Sequence, residues 1–333
     1  MTSLPDSLAG EQFLGTHPET LPPDHVFPIS WLHQVSCPDT PPHFDAFWER
    51  RYQKSLDLKP CPRVVPSSTQ LPGVRVFDIQ FETTDQFTLH GWLTLPIEDE
   101  IRCGLVVGHG YGGREAPDHP PLLSNAAILY PCFRGLARSL APPISPDPQW
   151  HVLHDIDRPE KYILGACVED VWITISALLQ LFPRVTGRIG YVGTSFSGGI
   201  GCLALAREKR VRLAHLAVPT FGHHPLRLRL PTRGSGAAVQ RVWREGHLRL
   251  APSLALHDAA CAARSIQMPV QCVCALSDPM VTPPGQFAIY NALPGLKELI
   301  VLSRGHADND LGSDESARVS SERNRFLSEI GRD

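Results

Sequence analysis

Features that would mark two specialised classes of protein are missing from this sequence of 333 residues. There is no block of basic residues: 31 Lys and Arg stand against 34 Asp and Glu, which gives a formal net charge of −3. Proteins that bind nucleic acid present a clustered positive surface, so we expect no nucleic-acid partner. No apolar run approaches the ~20 residues that cross a bilayer, and the longest, Val171–Phe182, directly follows Glu169 and Asp170. We therefore expect no membrane partner.

A signal peptide and a disulfide pattern are also missing. The first residues, Met1–Asp6, have neither a basic start nor an apolar stretch. The nine cysteines are odd in number and scattered, and no CxxC pair occurs. Unpaired thiols are typical of a reducing compartment, whereas disulfide frameworks are typical of secreted domains. We expect a cytoplasmic protein.

What is present is an ordinary globular composition, with 42 % apolar and 20 % charged residues. Residues 1–40 begin with a proline-rich, aperiodic stretch, which predicts an N-terminal arm. Apolar residues at helical spacing from Phe44 to Tyr52 predict a helix. Strict alternation in Val74–Glu82 and in Phe87–Pro96 predicts two strands joined as a hairpin.

From Cys103 onward, short apolar runs alternate with longer helix-like stretches. The runs are Gly104–Val107, Ala126–Tyr130, Ile189–Val192, Leu213–Val218, Val270–Leu276 and Glu298–Leu302. This order predicts a mostly parallel sheet with helices on both faces, so we interpret residues 41–333 as one α/β domain. Residues 222–266 break the rhythm and are predicted to be an inserted cap or interface segment. Within that segment, Leu226–Leu230 has the alternation of an edge or interface strand.

One turn carries the features of a nucleophile. Gly193–Gly199 follows an apolar strand and opens a helix-like stretch, and Ser195 stands at its centre. A strand, a sharp turn of small residues and a helix make the nucleophile elbow of an α/β-hydrolase. The turn lifts the serine Oγ above the sheet, and the new helix points its first amides at developing negative charge.

A serine hydroxyl needs a base, and the base needs an orienting acid. In this fold the acid and then the base follow the serine along the chain. Asp278 and His306 both follow predicted strands, in that order. The backbone N–H of Phe196, after the serine, is one expected oxyanion donor; the other is that of Tyr111, in the loop after Gly104–Val107. The reaction requires no metal or organic cofactor.

Simpler interpretations remain for each of these residues. Ser195 could be a small residue in a tight turn, and Asp278 could cap a helix before Pro279. Asp308 and Asp310 are rival acids, although they lie too close to His306 in sequence for the usual order.

Other conspicuous residues are interpreted as structural. Arg134 is expected to be an ion-pair partner, and Cys272 and Cys274 to be core thiols on one face of a strand. His223 and His224 lack partners at metal-ligand spacing, so we expect a solvated loop there.

Several stretches together resemble a known family. They are His43–Trp48, Leu89–Leu93, His109–Gly113, Arg134-Gly135, Gly193–Ser195, Ser277–Pro279, Pro283–Asn291 and Gly305-His306. On these residues the chain is similar, from about residue 40 to 310, to the acetyl xylan esterase / cephalosporin C deacetylase family (carbohydrate esterase family seven) of the α/β-hydrolases.

The resemblance implies Ser195, Asp278 and His306 as catalytic triad, and the Tyr111 and Phe196 amides as oxyanion hole. It implies that Tyr111 contacts a small-molecule ester substrate, and that the acyl group is acetyl and the alcohol a small sugar or a related compound. It also implies a cytoplasmic homo-oligomer, in this family often a ring-shaped hexamer.

The family's three signature motifs, RGQ, GxSQG and HE, are altered here. Leu136, Phe196 and Ala307 replace the two glutamines and the glutamate, and Ser197 replaces a glycine. A hydroxymethyl group at Ser197 predicts a slightly opened turn. Apolar side chains at Phe196 and Leu136 leave a second function open, an esterase for longer or aromatic acyl groups. A third possibility is a descendant that binds a ligand or partner without catalysis.

Overall fold

The structure is a computed structural model and describes residues 21–246, 248–306 and 313–331. The first 20 residues of the predicted arm lie outside this range. So do Ala307 and the two rival acids, Asp308 and Asp310.

The described residues form one sheet of nine strands. The strands are β1 (Arg63–Pro66), β2 (Val74–Thr83), β3 (Phe87–Pro96), β4 (Cys103–Val107), β5 (Ala126–Cys132), β6 (Ile189–Thr194), β7 (Val211–Ala217), β8 (Val270–Ala275) and β9 (Lys297–Leu302). Strands β2 to β9 confirm eight of the nine predicted strands to within two residues at each end, and only β1 had no sequence prediction.

The strand order is β1-β2-β3-β5-β4-β6-β7-β8-β9. The first three pairings, from β1 to β5, are antiparallel, and the five pairings from β5 to β9 are parallel. The carboxyl ends of β4, β6, β8 and β9 therefore point to the same edge of the sheet.

Eleven α-helices connect these strands within the described residues. They are α1 (Ile29–Leu32), α2 (Phe44–Asp57), α3 (Pro148–His151), α4 (Ile163–Leu181), α5 (Phe196–Leu205), α6 (His224–Arg229), α7 (Gly234–Arg244), α8 (Ala251–Leu256), α9 (Ala259–Ala263), α10 (Pro283–Ala292) and α11 (Ser313–Leu327).

The helices cover both faces of the sheet, because neighbouring strand residues point in opposite directions. On β4, Val106 joins the large core formed with α2, α4, α5, α9 and α10. Leu105 and Val107 join a separate core on the other face, which α11 closes. The predicted mostly parallel α/β architecture is confirmed.

Helix α4 contains most of the longest apolar run of the sequence, Val171–Phe182. It begins at Ile163 and is the one helix of the described chain that is long and apolar enough to cross a membrane. Most of its length is buried inside the protein, where Trp172 packs against Trp48 and Tyr52 of α2. Such burial is what a central core helix requires.

The described part of the arm, residues 21–40, packs against the segment that follows the carboxyl end of β8. The Phe27 N–H donates to the Leu276 carbonyl at 2.9 Å, just beyond β8. The Ser277 hydroxyl donates to the Asp24 carbonyl at 2.7 Å. Asn291 of α10 donates to the carbonyls of Leu32 and Val35, both at 2.9 Å. The arm thus holds the segment that leads to Asp278.

Residues 222–266 are helical, and two expectations about them are wrong. Leu226–Leu230 was expected to form an edge or interface strand, but it lies in α6 and the residue that ends it. Pro225 stands in the first turn of that helix, and the His223 Nδ1 accepts from the Leu226 N–H at 3.2 Å, so local signals override the alternation. His223 and His224 are buried rather than solvated.

Candidate active site

The strand-turn-helix at Ser195 has the geometry of a nucleophile elbow. Ser195 lies between β6 and α5 with φ 53° and ψ −109°, a conformation that costs a non-glycine residue about 1–3 kcal/mol. The Ser195 N–H donates to the Ala217 carbonyl of β7 at 2.8 Å, which holds the turn in place. A Cβ on Gly193 would lie 2.4 Å from the Ser197 carbonyl oxygen, so only glycine fits there.

Ser197 bridges this turn. Its Oγ accepts from the Thr194 N–H at 2.8 Å and donates to the Thr194 carbonyl at 3.2 Å. The Tyr191 hydroxyl donates to the Ser197 carbonyl at 2.7 Å. The hydroxyl at Ser197 therefore makes two hydrogen bonds across the turn.

His306 lies between the serine and a carboxylate. Its Nε2 is 2.9 Å from the Ser195 Oγ, and its Nδ1 is 2.8 Å from the Asp278 Oδ2. The imidazole follows β9 and is about a quarter exposed, while Asp278 is fully buried. A neutral imidazole that donates from Nδ1 to Asp278 presents its Nε2 lone pair to the serine hydroxyl.

Asp278 is fixed by four donors besides ordinary packing. The N–H groups of Met280 and Val281 both donate to Oδ1 at 2.9 Å, and the Gln286 amide donates to Oδ2 at 3.0 Å. The His306 Nδ1 shares Oδ2. The carboxylate thus holds the loop after β8 and orients the imidazole. The interpretation of Asp278 as a helix cap is wrong, because the next helix begins at Pro283 with Thr282 as its cap.

The loop after β4 approaches the same serine. A Cβ on Gly110 would lie 3.7 Å from the Ser195 Cβ. The His109 imidazole anchors this loop: its Nδ1 is 2.7 Å from the Gly110 carbonyl, and its Nε2 accepts from the Phe133 N–H at 3.1 Å. Burial lowers the pKa of His109 to about 4, so the ring stays neutral and can accept this bond.

The two residues expected to supply the oxyanion donors, Tyr111 and Phe196, contact each other near the serine. Phe196 is the first residue of α5, so its N–H has no carbonyl partner within the helix. Tyr111 lines the same cavity as Ser195. Its ring packs at a tilt of 37° against that of Phe196, with 4.3 Å between the ring centroids, and its hydroxyl lies 3.4 Å from the His151 Nδ1.

The sequence suggested that Phe196 and Leu136 make the substrate pocket more apolar, and the structure shows that they do not. Phe196 is fully buried and packs against Phe133, His151 and Phe221 at 5.7–6.0 Å. Leu136 is also buried, and neither residue lines the cavity at Ser195. The two apolar replacements fill the protein interior behind the site.

The cavity at Ser195 has a volume of about 380 Å³. Its wall includes Gln149 from α3 and Ser235 from α7, opposite the serine and the histidine. Residues 222–266 therefore contribute one wall of the site through α7. Other lining residues are Gly110, Gly112, Asp147, Pro148, Thr194, Thr220, Gly234, Met280 and Val281.

The remaining structural interpretations agree with the structure. The Arg134 guanidinium donates to both oxygens of the buried Asp170 carboxylate at 3.0 and 2.5 Å. Cys272 and Cys274 are fully buried on β8. Arg134 and the two cysteines do not line the cavity at Ser195.

Sequence reasoning missed two residues that position the acid. The Gln286 amide joins Asp278 to the Val281 carbonyl at 2.6 Å, and its oxygen accepts from the Ala275 N–H at 2.9 Å. Gly305 lies so close that a Cβ there would be 2.3 Å from the Asp278 Oδ2. The glycine directly before the predicted base was a visible signal, whereas nothing local marks Gln286.

A serine at the elbow, joined through histidine to a buried aspartate at the carboxyl edge of a mostly parallel sheet, defines a serine hydrolase of the α/β-hydrolase fold. The family described as acetyl xylan esterase (AXE1) matches residues 28–322. The chain belongs to this family and is a carboxylic ester hydrolase, a serine esterase of acetyl esters.

Solved structures agree with this fold. An acetyl xylan esterase from Paenibacillus sp. R4 is 21 % identical, with a TM-score of 0.73 over 91 % of this chain and 99 % of that one. Acetyl xylan esterase 1 from Thermoanaerobacterium sp. JW/SL YS485 is 19 % identical, with a TM-score of 0.73 over 92 % and 99 %. An acylaminoacyl peptidase from Pyrococcus horikoshii is 15 % identical, with a TM-score of 0.59 over 79 % and 42 %.

Proposed function

We propose that the protein removes acetyl and other short acyl groups from small sugars and related compounds, including substrates of the cephalosporin C type, through an acyl-enzyme on Ser195. The observation that carries the proposal is the continuous contact from the Ser195 Oγ through His306 to Asp278, at 2.9 and 2.8 Å. Each group already stands in the hydrogen-bonding position that its step requires.

In the first step, the Ser195 Oγ attacks the ester carbonyl and the His306 Nε2 takes the hydroxyl proton. Asp278 accepts the Nδ1–H bond and stabilises the positive imidazolium. The Phe196 and Tyr111 N–H groups receive the negative oxygen, and each such donor contributes roughly 3–4 kcal/mol to the transition state.

In the second step, His306 returns its proton to the leaving alcohol and the acyl group stays on Ser195. Water then attacks the acyl carbonyl while the same imidazole acts as base. Loss of the acyl group restores the serine hydroxyl, so the cycle balances without any further reactant.

The cavity wall supports a small, hydroxyl-rich alcohol. The cavity has a volume of about 380 Å³, and its wall contains the polar residues Asp147, Gln149 and Ser235. Met280 and Val281 are the aliphatic side chains near the nucleophile, and the aromatic cluster behind Tyr111 is closed by packing. This arrangement favours an acetyl group over the longer or aromatic acyl groups of the second hypothesis.

The test compares wild type with Ser195→Ala on p-nitrophenyl acetate, butyrate and octanoate, followed by acetylated xylose and cephalosporin C. We expect kcat/KM to fall with acyl length and the variant to lose at least about 10⁴-fold in activity. Ser176→Ala, which removes a hydroxyl from α4 far from the site, is the matched control and should keep wild-type activity.

A rate that rises with chain length would replace the short-acyl proposal by the long-acyl one. Failure of an active-serine phosphonate probe to label Ser195 would contradict the assignment of the nucleophile. Labelling with no turnover of any ester would point to a binding role.

We also propose, from the family resemblance, a homo-oligomer that can reach a hexamer, in the cytoplasm. Nine free thiols support the location. Light scattering coupled to size exclusion measures the assembly, and a monomeric mass at micromolar concentration would contradict it.

A further inference from the structure

Two thiols from distant parts of the chain meet where the arm crosses the core. The Cys37 Sγ lies 3.7 Å from the Cys261 Sγ, although 224 residues separate them. Both thiols also donate to the Pro38 carbonyl, at 3.2 and 3.6 Å. A disulfide bond is about 2.05 Å long, so a small side-chain rotation would bring the sulfurs together.

A cavity gives small reagents access to this pair. It has a volume of about 510 Å³ and is distinct from the cavity at Ser195. Cys261 and Pro38 lie in its wall together with Leu228, Trp243 and Leu254. Cys37 is half-buried, whereas Cys261 is 3 % exposed.

We propose that Cys37 and Cys261 are a redox modification site that closes to a disulfide when a peroxide reaches the half-buried Cys37 beside this cavity. The Cys37 sulfur attacks one peroxide oxygen, which forms an S–O bond, breaks the O–O bond and releases one water. The Cys261 sulfur then attacks the Cys37 sulfur, which forms the S–S bond and expels the hydroxyl with the Cys261 proton as a second water. Two thiols and one peroxide thus give one disulfide and two waters, and each sulfur loses one electron.

The order of the two steps follows from the surroundings. The contact with Cys37, and then burial, raises the pKa of the Cys261 thiol. Since thiolates are the reactive form, the more accessible Cys37 reacts with peroxide first. Cys261 then acts as the resolving thiol, because it already touches the oxidised sulfur.

The disulfide would fasten the arm to α9. Cys37 follows the arm segment whose carbonyls, at Leu32 and Val35, accept from Asn291. Cys261 lies in α9, which packs against the nucleophile helix α5 and against α10. A cross-link that closes so long a loop lowers the entropy of the unfolded chain, so the oxidised protein should resist heat better than the reduced one.

Peptide mapping tests the bond directly. Trypsin releases residues 1–50 with Cys37 as their only cysteine, and residues 250–264 with Cys261 as theirs. After treatment with hydrogen peroxide and alkylation of remaining thiols, we expect these two peptides to be linked, with a mass two hydrogens below their sum. Dithiothreitol should separate them.

Cys61→Ser is the matched control, because it removes the one exposed cysteine and should leave the linked peptides unchanged. Cys37→Ser should abolish them, and Cys261→Ala is a second variant if the first does not fold. Unlinked peptides, sulfinic acid at Cys37 as the main product, or a link from Cys37 to another cysteine would each overturn the proposal.

Thermal unfolding provides the second readout. The midpoint of the peroxide-treated wild type should rise by a few degrees and return after reduction, and Cys37→Ser should show no rise. A linked protein that melts at the same or a lower temperature would refute the fastening of the arm. Neither measurement uses ester hydrolysis, so the result is independent of the proposed function.

Discussion

Ser197 shows how one residue can depart from a family motif and still serve it. Family members carry glycine here, yet the Ser197 hydroxyl satisfies both the N–H and the carbonyl of Thr194, the residue before the nucleophile. The Ser197 side chain is fully buried, so these two bonds lie on the inner side of the turn.

Ser197→Ala should therefore destabilise the protein and loosen the turn. The Thr194 N–H loses the hydrogen bond to the Ser197 Oγ, which costs about 0.5–1.5 kcal/mol. We expect a corresponding fall in the free energy of unfolding in urea, together with a lower kcat. Ser55→Ala, which removes a buried hydroxyl bonded to a helix carbonyl in α2, is the control and should leave kcat unchanged. Equal effects of the two changes on kcat would contradict this role.

Gln286 is the residue that positions the acid. Its amide nitrogen lies between the Asp278 Oδ2 and the Val281 carbonyl, at 3.0 and 2.6 Å. Gln286→Leu should lower kcat by roughly 10–100-fold, since a hydrogen bond to a charged group contributes about 1.5–3 kcal/mol. We expect KM to change little, because Gln286 does not line the substrate cavity.

Gln286→Glu separates positioning from packing. It keeps the size of the side chain but places a second carboxyl group beside Asp278, so like charges would meet in a buried site. Steady-state kinetics should show a loss at neutral pH at least as large as that of Gln286→Leu. Wild-type kcat in both variants would exclude the positioning role.

Among the elements, α4 is the helix whose docking depends on charge. Asp170 in its middle is fully buried and pairs with Arg134, which is 4 % exposed and also donates to Thr84 at 3.0 Å. A buried ion pair contributes little net stability when intact, but removal of one partner leaves an uncompensated charge.

Asp170→Asn should consequently reduce the free energy of unfolding by about 3–5 kcal/mol. Lys54→Ala breaks a pair with Asp85 in which both side chains are more than half exposed, and should cost less than about 1 kcal/mol. Urea denaturation of the two variants measures the contrast. Similar losses in both would show that burial does not govern these pairs.

The sequence predicted elements well where the pattern had one cause. Continuous apolar runs identified the buried parallel strands, and alternation identified β2 and β3, because burial on two faces or on one leaves different patterns. The strand prediction within residues 222–266 was wrong because two local signals conflict there. Alternating Leu and Arg looked like a strand, whereas Pro225 and the cap at His223 start a helix. In that helix Arg227 is buried, while Leu226 and Leu228 are only partly buried.

The residues of the active site also divide into those that the sequence predicted and those that it did not. Order along the chain was enough to select Ser195, Asp278 and His306, because the fold places strand ends at one edge. Gln286 and the contact of Ser277 with the arm could not be predicted, since they depend on packing between distant segments.

At the scale of the whole molecule, buried histidines make stability depend on pH. Burial lowers the pKa of four of these histidines to about 4: His109, His151, His215 and His223. It also lowers the pKa of His224 and His257. In the unfolded chain a histidine titrates near pH 6.5. Between pH 6.5 and 4 the unfolded state therefore binds more protons than the folded state.

The free energy of unfolding should accordingly fall as pH decreases through this window, by about 1.4 kcal/mol per pH unit for each such histidine. Burial also raises the pKa of Asp258 to about 6 and raises the pKa of Glu169, which acts in the opposite direction but for two groups against six. Urea unfolding at several pH values measures the slope. His215→Gln should reduce the slope by one histidine's share and the exposed His43→Gln should not; a flat profile would contradict the prediction.

The bond between Asp24 and Ser277 joins residues 253 positions apart. A ribosome that adds about 5–20 residues per second needs roughly 12–50 s to travel that distance. During this time Phe27 and Trp31, which end up buried, have no strand β8 to pack against. During synthesis, the apolar segment with Phe27 and Trp31 therefore stays without its partner strand until β8 is made. Esterase activity should appear only after β8 and His306 have left the exit tunnel.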